Sequence, residues 1–224
     1  MKSDRRGIVK ENAVKYRRMN SGDIEAVCAL MDSTWDMKSR IGEELGSRYS
    51  SLYTESILAD SEIRIAAVCG GRVVGAVMGR RIEDFHTDDV HADNYEKISE
   101  ELNGIRGGKA LNKAFARVYD THKKLLNGCD IEFDGYLTFL AVESGMRGKG
   151  IGKTLVAHLK KRLSAIGVEK FYLYTDTTCN VGFYDSQGFK RINSVKDRFQ
   201  VRRTKIKLEV YLYGFDLTGG SRGA

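Results

Sequence analysis

The chain has 224 residues, 42% hydrophobic and 30% charged, with a formal net charge of +7, a composition that fits a globular protein with a full core and excludes a disordered or fibrous one. No apolar run approaches the roughly 20 residues that cross a bilayer, and the opening MKSDRRGIVKEN lacks the apolar stretch of a secretory leader, so a cytoplasmic protein with no membrane partner is expected. The positive charge favours an anionic partner without separating nucleic acid from a polyphosphate.

In chain order, Val14 to Met19 reads as a short strand. Ser21 or Asp23 is placed to cap the helix that follows, in which Ile24, Val27, Cys28, Met31 and Trp35 recur at three- and four-residue steps. A second helical stretch covers about Glu43 to Leu58, and then the period changes. Ile63 to Val68 and Arg72 to Ile82 are β-rich runs joined by Cys69-Gly70-Gly71, which predicts an antiparallel hairpin. A connection of about fifty residues follows, far above the usual four to six, so it must carry structure of its own. Leu111, Phe115, Val118, Tyr119, Leu125 and Leu126 predict an amphipathic helix over Lys109 to Asn127 within it.

Tyr136 to Val142 (YLTFLAV) is an unbroken apolar run, expected to be a central strand buried on both faces. Ile151, Leu155, Val156, Leu159, Leu163 and Ile166 fit one face of a helix that Gly167 stops. Phe171 to Thr175 reads as a strand and Val181 to Ser186 as a short helix, while Ile206, Leu208, Val210 and Leu212 alternate with polar or aromatic residues as in a half-buried late strand. The tail from about residue 217 to 224, like residues 1–12, is expected to be flexible. Cys28, Cys69, Cys129 and Cys179 form no C-x-x-C pair and have no histidine at zinc spacing, so four reduced thiols and no metal are expected.

The stretch RGKGIGKT, Arg147 to Thr154, invites three phosphate-loop templates. Placing the G-K-T of a nucleotide P-loop on Gly152-Lys153-Thr154 puts the loop's first glycine at Arg147, and a dinucleotide fingerprint begun at Gly148 needs glycine where Lys153 stands, so both registers fail. The third template, R/Q-x-x-G-x-G/A between a buried strand and an amphipathic helix, is met by Arg147, Gly150 and Gly152. Glycines let backbone approach a pyrophosphate, a helix N-terminus supplies free N–H groups, and Gly148, Lys149, Ile151 and Lys153 complete the loop.

At these residues the sequence resembles the GNAT superfamily of acyl-CoA-dependent N-acetyltransferases. YLTFLAVESGMRGKGIGKTLVAHLKKRL is similar to that family's fourth strand, pyrophosphate loop and third helix, and FYLYTDTTCNVGFYDSQGFKR to its fifth strand and fourth helix, with the Y-x-x-x-G-F ending at Tyr184, Gly188 and Phe189. The resemblance implies a GNAT-like α/β fold: a mixed, mostly antiparallel central sheet flanked by helices, in one domain over residues 1–224. A long helical insertion at about 83–134 would lie between the third and fourth strands. It implies acetyl-CoA as acyl donor, held through the backbone of Leu140 and Val142, the loop from Arg147 to Lys153 and the Asn180 side chain, with Tyr184 as general acid. Many members carry a glutamate where this chain has Tyr136; Glu132, Asp134 and Glu143 stand as alternative bases, with Glu143 carried forward.

The reaction implied is attack of a primary amine on the thioester, with a small molecule or protein as acceptor, no nucleic-acid partner, and a homodimer left open. The insertion enters where acceptor-binding elements sit in this fold, and its acidic first half, Asp84 to Glu101, is expected to draw a cationic amine. The competing reading is a basic RNA-binding or ribosome-associated module, built on KRINSVKDRFQVRRTKIK from Lys190 to Lys207, that uses the CoA site for regulation or not at all.

Overall fold

A computed structural model describes residues 13–201 and 204–220. Strand β1 (Lys15–Arg18) leads through a short 3-10 turn into α1 (Ile24–Trp35), α2 (Met37–Ile41) and α3 (Glu43–Ala59), followed by the hairpin β2 (Ile63–Cys69) and β3 (Arg72–Arg81). The insertion is a helix pair, α4 (Asp89–Asn103) and α5 (Gly108–Asn127). Then come β4 (Gly135–Val142), α6 (Ile151–Ala165), β5 (Lys170–Asp176), α7 (Val181–Ser186), β6 (Lys190–Val201) and β7 (Thr204–Asp216). The seven strands form one sheet in the order β1-β2-β3-β4-β5-β7-β6, antiparallel throughout except between β4 and β5.

One face of the sheet is covered by α6, whose Ile151, Leu155, Val156, Leu159 and Leu163 are buried against Ile65, Val77, Leu137, Phe171 and Leu173. The other face is shared. Helices α1 and α3 cover β3 and β4 through Val27, Met31 and Leu58 against Met78, Phe139 and Ala141, while the C-terminal end of α5 covers β5 and β7 through Leu125 against Tyr172 and Leu212. A third cluster, with Leu52, Leu102, Leu111 and Phe115, ties the insertion to α2 and α3. At the α4 to α5 joint the backbones touch: a Cβ on Gly108 would lie 1.7 Å from the Leu102 carbonyl oxygen, so only glycine fits there.

Several expectations change in detail. Asn20 caps the 3-10 turn, its side chain accepting from the Gly22 N–H at 3.0 Å, and Asp23 stands at the N-cap of α1 as expected but makes no side-chain cap bond to the helix. Asp23 instead takes Arg17 in a two-pronged pair at 2.6 and 2.8 Å. Strand β4 is not buried on both faces: Leu137, Phe139 and Ala141 are buried, whereas Tyr136, Thr138, Leu140 and Val142 are only half-buried. Ile166 lies beyond the last turn of α6 and is 40% exposed, so it does not belong to the apolar face. The segment from Lys190 holds an additional strand, β6, paired with β7 along its length. Leu217, placed in the flexible tail, packs on the α6 core and donates its N–H to the Glu169 carbonyl at 2.7 Å. Residues 1–12 and 221–224 lie outside the described residues.

Candidate active site

The site begins where the sheet opens. Strands β4 and β5 pair only at Gly135 with Phe171 and Tyr136 with Tyr172. Beyond that point β4 stays laddered to β3 as far as Val142, and β5 to β7 as far as Asp176, so the two strands part into a wedge. Along a strand, successive residues turn their N–H and C=O to opposite sides. The Glu143 N–H donates to the Val74 carbonyl at 2.9 Å, which assigns Ala141 and Phe139 to the β3 side and leaves Leu140 and Val142 facing the wedge. One of their four groups is taken, because the Val142 carbonyl accepts from Arg147 Nε at 3.0 Å. Arg147 therefore braces the end of the strand as well as standing at the head of the loop.

The loop then turns on Gly148 and Gly150, with φ of 76° and 78°. A Cβ at either would meet nothing within 4 Å, so the left-handed backbone, and not crowding, is what asks for glycine. Gly152 differs: its added Cβ would lie 3.4 Å from the Phe183 ring, so the start of α6 leans on α7. Gly150 stands at the N-cap of α6 with no side chain capping it, and the N–H groups from Gly148 to Lys153 find no acceptor among the described residues. Uncapped N–H groups at the positive end of a helix dipole make an anion site. Ile151 can offer only its backbone, since its side chain is 2% exposed in the core. Lys153 lines the adjoining cavity, and the exposed Lys149 lies outside its lining.

A cavity of about 540 Å³ fills the wedge and extends to α5. Tyr184 stands in its wall, 9% exposed, with Phe183, Phe189 and Tyr213 rings at 5.3, 5.7 and 5.8 Å. Its hydroxyl has no hydrogen-bond partner among the described residues, and burial pushes its pKa well above the usual value for a phenol, with the nearby Cys179 and Asp176 as lesser causes. Asn180 lines the cavity beside it, and its carboxamide does not cap α7.

A sequence model described as the acetyltransferase (GNAT) family matches residues 109–189, from the first turn of α5 to Phe189. Over that segment the chain is similar to GNAT acetyltransferases. Solved N-acetyltransferase structures share the fold at low identity. An N-acetyltransferase from Staphylococcus aureus superposes with a TM-score of 0.55 at 13% identity, covering 92% of this chain and 99% of that one. The ribosomal-protein-S18-alanine N-acetyltransferase of Escherichia coli gives 0.54 at 10% identity over 95% and 99%. An aminoglycoside 6'-N-acetyltransferase complexed with coenzyme A gives 0.52 at 15% over 91% and 97%. The family match takes in α5, so the later part of the insertion is not wholly foreign to the GNAT pattern.

Around this cavity the expected bases fare differently from the donor loop. Glu143 does not line the cavity; its carboxylate pairs with Arg72 at 2.8 Å, so it is withdrawn as the base. Asp134 accepts the Glu169 and Lys170 N–H groups at 2.7 and 2.8 Å and fixes the start of β5, and Glu132 is exposed outside the lining. Tyr136, in the place of the family glutamate, does line the cavity, stacked on Tyr172 at 4.6 Å. The acidic half of the insertion is overturned as an amine lure. None of Asp84 to Glu101 lines the cavity, and Asp84, Asp88 and Glu101 pair with Arg81, Arg64 and Arg48.

The sequence reading missed His122 and Asp176, which do line the cavity. His122, on α5, stacks on Tyr174 with ring centroids 3.9 Å apart, and burial lowers its pKa to about 4, so its imidazole is neutral at pH 7. Asp176 ends β5 inside the quoted motif, but a polar residue at a strand end carries no signal of its own.

Proposed function

We propose that the protein moves an acetyl group from acetyl-CoA to a primary amine, by direct attack of the amine on the thioester carbonyl inside the β4 and β5 wedge. The observation that carries this reading is the wedge itself, which joins a strand edge with free backbone groups to a row of uncapped N–H groups at the start of α6. An extended amide-bearing arm can hydrogen-bond to the first, and a pyrophosphate fits the second without a metal. Leu140 and Val142 would hold the arm, Gly148 to Lys153 the phosphates, and Lys153 adds positive charge beside them.

The ammonium first gives one proton to water; the N–C bond of the neutral amine then forms as the C–S bond breaks, and the second proton shed by the nitrogen balances the one the thiol gains. When bound, acetyl-CoA supplies the acyl group and the thiol leaving group. Tyr184 would assist that departure. A thiol has a pKa of about 8.5, so a buried phenol whose pKa is raised above about 10 stays protonated and gives the departing sulfur a hydrogen bond at less cost than a full proton.

The RNA-binding reading gains nothing from the fold. Within the basic stretch, Arg191 stacks over Tyr211 at 4.2 Å and donates to the Tyr213 hydroxyl, so part of its positive charge is used in holding β6 on β7. The deciding test is thermal unfolding with acetyl-CoA, where ligand at 100 times its dissociation constant adds about 2.7 kcal/mol. An unshifted transition at millimolar acetyl-CoA would sink the proposal.

A further inference from the structure

We propose that the α5 end of the cavity is an acceptor subsite for a monoamine carried on a flat apolar body, an arylalkylamine, whose ammonium is drawn to Asp176. This rests on the acetyl-transfer reading of the same cavity and names the class of acceptor.

The wall facing away from the glycine loop is aromatic. Trp35 from α1, Tyr49 and Tyr53 from α3, Phe115 from α5 and Tyr136 from β4 all line it. Their rings meet edge to face: Trp35 and Tyr53 at 5.5 Å and 82°, Tyr53 and Phe115 at 5.5 Å and 79°, Tyr49 and Phe115 at 6.0 Å and 75°. Such an array offers ring edges and faces to a planar guest, and its faces also attract an ammonium. The polar handles are few. The hydroxyls of Tyr49, Tyr53 and Tyr136 have no hydrogen-bond partner among the described residues.

Charge narrows the class further. Asp176 is the one carboxylate among the lining residues, and the charged side chains that join it there are the cations Arg40, Arg147 and Lys153. A polyamine or an aminoglycoside brings several ammonium groups, each of which loses water on entry and needs an anionic partner. A single ammonium matches a single carboxylate. Asp176 is held in place: its Oδ1 accepts from the Thr178 N–H at 2.7 Å and from the Thr178 hydroxyl. It lines the same cavity as the aromatic wall and Tyr184. Burial above all raises the phenols of Tyr49, Tyr53 and Tyr184, and the Asp176 charge is among the further causes at all three.

The test combines calorimetric binding of acetyl-CoA, phenethylamine and spermidine with CoA-release rates for phenethylamine, spermidine and kanamycin. Phenethylamine should bind and be acetylated with a kcat/KM at least tenfold above either polycation. Ala114→Trp, which fills the wall beside Phe115, should weaken phenethylamine binding at least tenfold at unchanged acetyl-CoA affinity. Asp176→Asn, which keeps the Oδ1 acceptor for Thr178, should raise the KM for phenethylamine about tenfold, and it carries the test should Ala114→Trp fail to fold. Phenethylamine binding without acetyl-CoA binding would leave the subsite standing and remove the proposed function. Acetyl-CoA binding together with a preference for spermidine or kanamycin, or with phenethylamine binding indifferent to both substitutions, would overturn the subsite.

Discussion

The two ends of the cavity are built from different materials. The glycine-loop end is backbone: uncapped N–H groups at Gly148 to Lys153 and the strand edge at Leu140 and Val142. The α5 end is side chain, with rings from α1, α3, α5 and β4 converging from positions as far apart in the chain as Trp35 and Tyr136. A backbone site tolerates almost any side chain that preserves its geometry, so it suits an invariant ligand portion. A side-chain site changes with every substitution, so it suits the part of the reaction that must discriminate.

That division can be broken or sharpened by mutation. The largest effect is expected at the junction of the two ends: Tyr184→Phe should lower kcat roughly 100-fold while leaving acetyl-CoA affinity unchanged, as steady-state rates and calorimetry would show; full activity would remove the tyrosine from the reaction. At the backbone end, Gly150→Ala forces a Cβ into a left-handed conformation, costing about 1–2 kcal/mol, and should weaken acetyl-CoA binding without altering the ranking of amines. A changed amine ranking in a CoA-release panel would show that the two ends are not separable.

At the side-chain end, His122 holds fewer protons in the folded state than in the unfolded state between about pH 4 and 6.5, so stability falls as the pH drops through that window. The slope is at most about 1.4 kcal/mol per pH unit, and His122→Asn should flatten it in pH-dependent urea unfolding. An unchanged slope would place the acid sensitivity elsewhere. The smallest effect is expected at Glu143→Gln, which alters a surface pair with Arg72 and should leave kcat within about twofold. A large loss there would restore Glu143 as the base.

The same division explains what could be read in the chain. Arg147, Gly150 and Gly152 lie close together in sequence because a backbone loop is local, and register alone separates them from the other phosphate loops. The helix faces of α1 and α6 and the β2 to β3 hairpin were legible because one face of each is buried and the period survives. Strand β6 was not, since it is an edge strand with a register shift between Arg191 and Asn193, and charges on both of its faces erase the alternation. Strand β4 misled in the opposite direction: Leu140 and Val142 are apolar because they line the cavity, and an apolar side chain facing a cavity reads like one facing the core. Trp35, Tyr53 and Phe115 were hidden for the same reason, each being indistinguishable from packing until α5 brings them together.

Helix α5 serves three masters. Its Leu111 and Phe115 close the third core cluster, its Leu125 covers β5 and β7, and its Arg117 and Thr121 hold Asp197 on β6. A segment so tied to the rest of the fold cannot be traded as a module to obtain a new acceptor. A change of acceptor in this chain would instead be sought at single positions on the cavity-lining stripe of the helix, such as Val118 and His122, which leave Leu111, Phe115, Leu125, Arg117 and Thr121 in place.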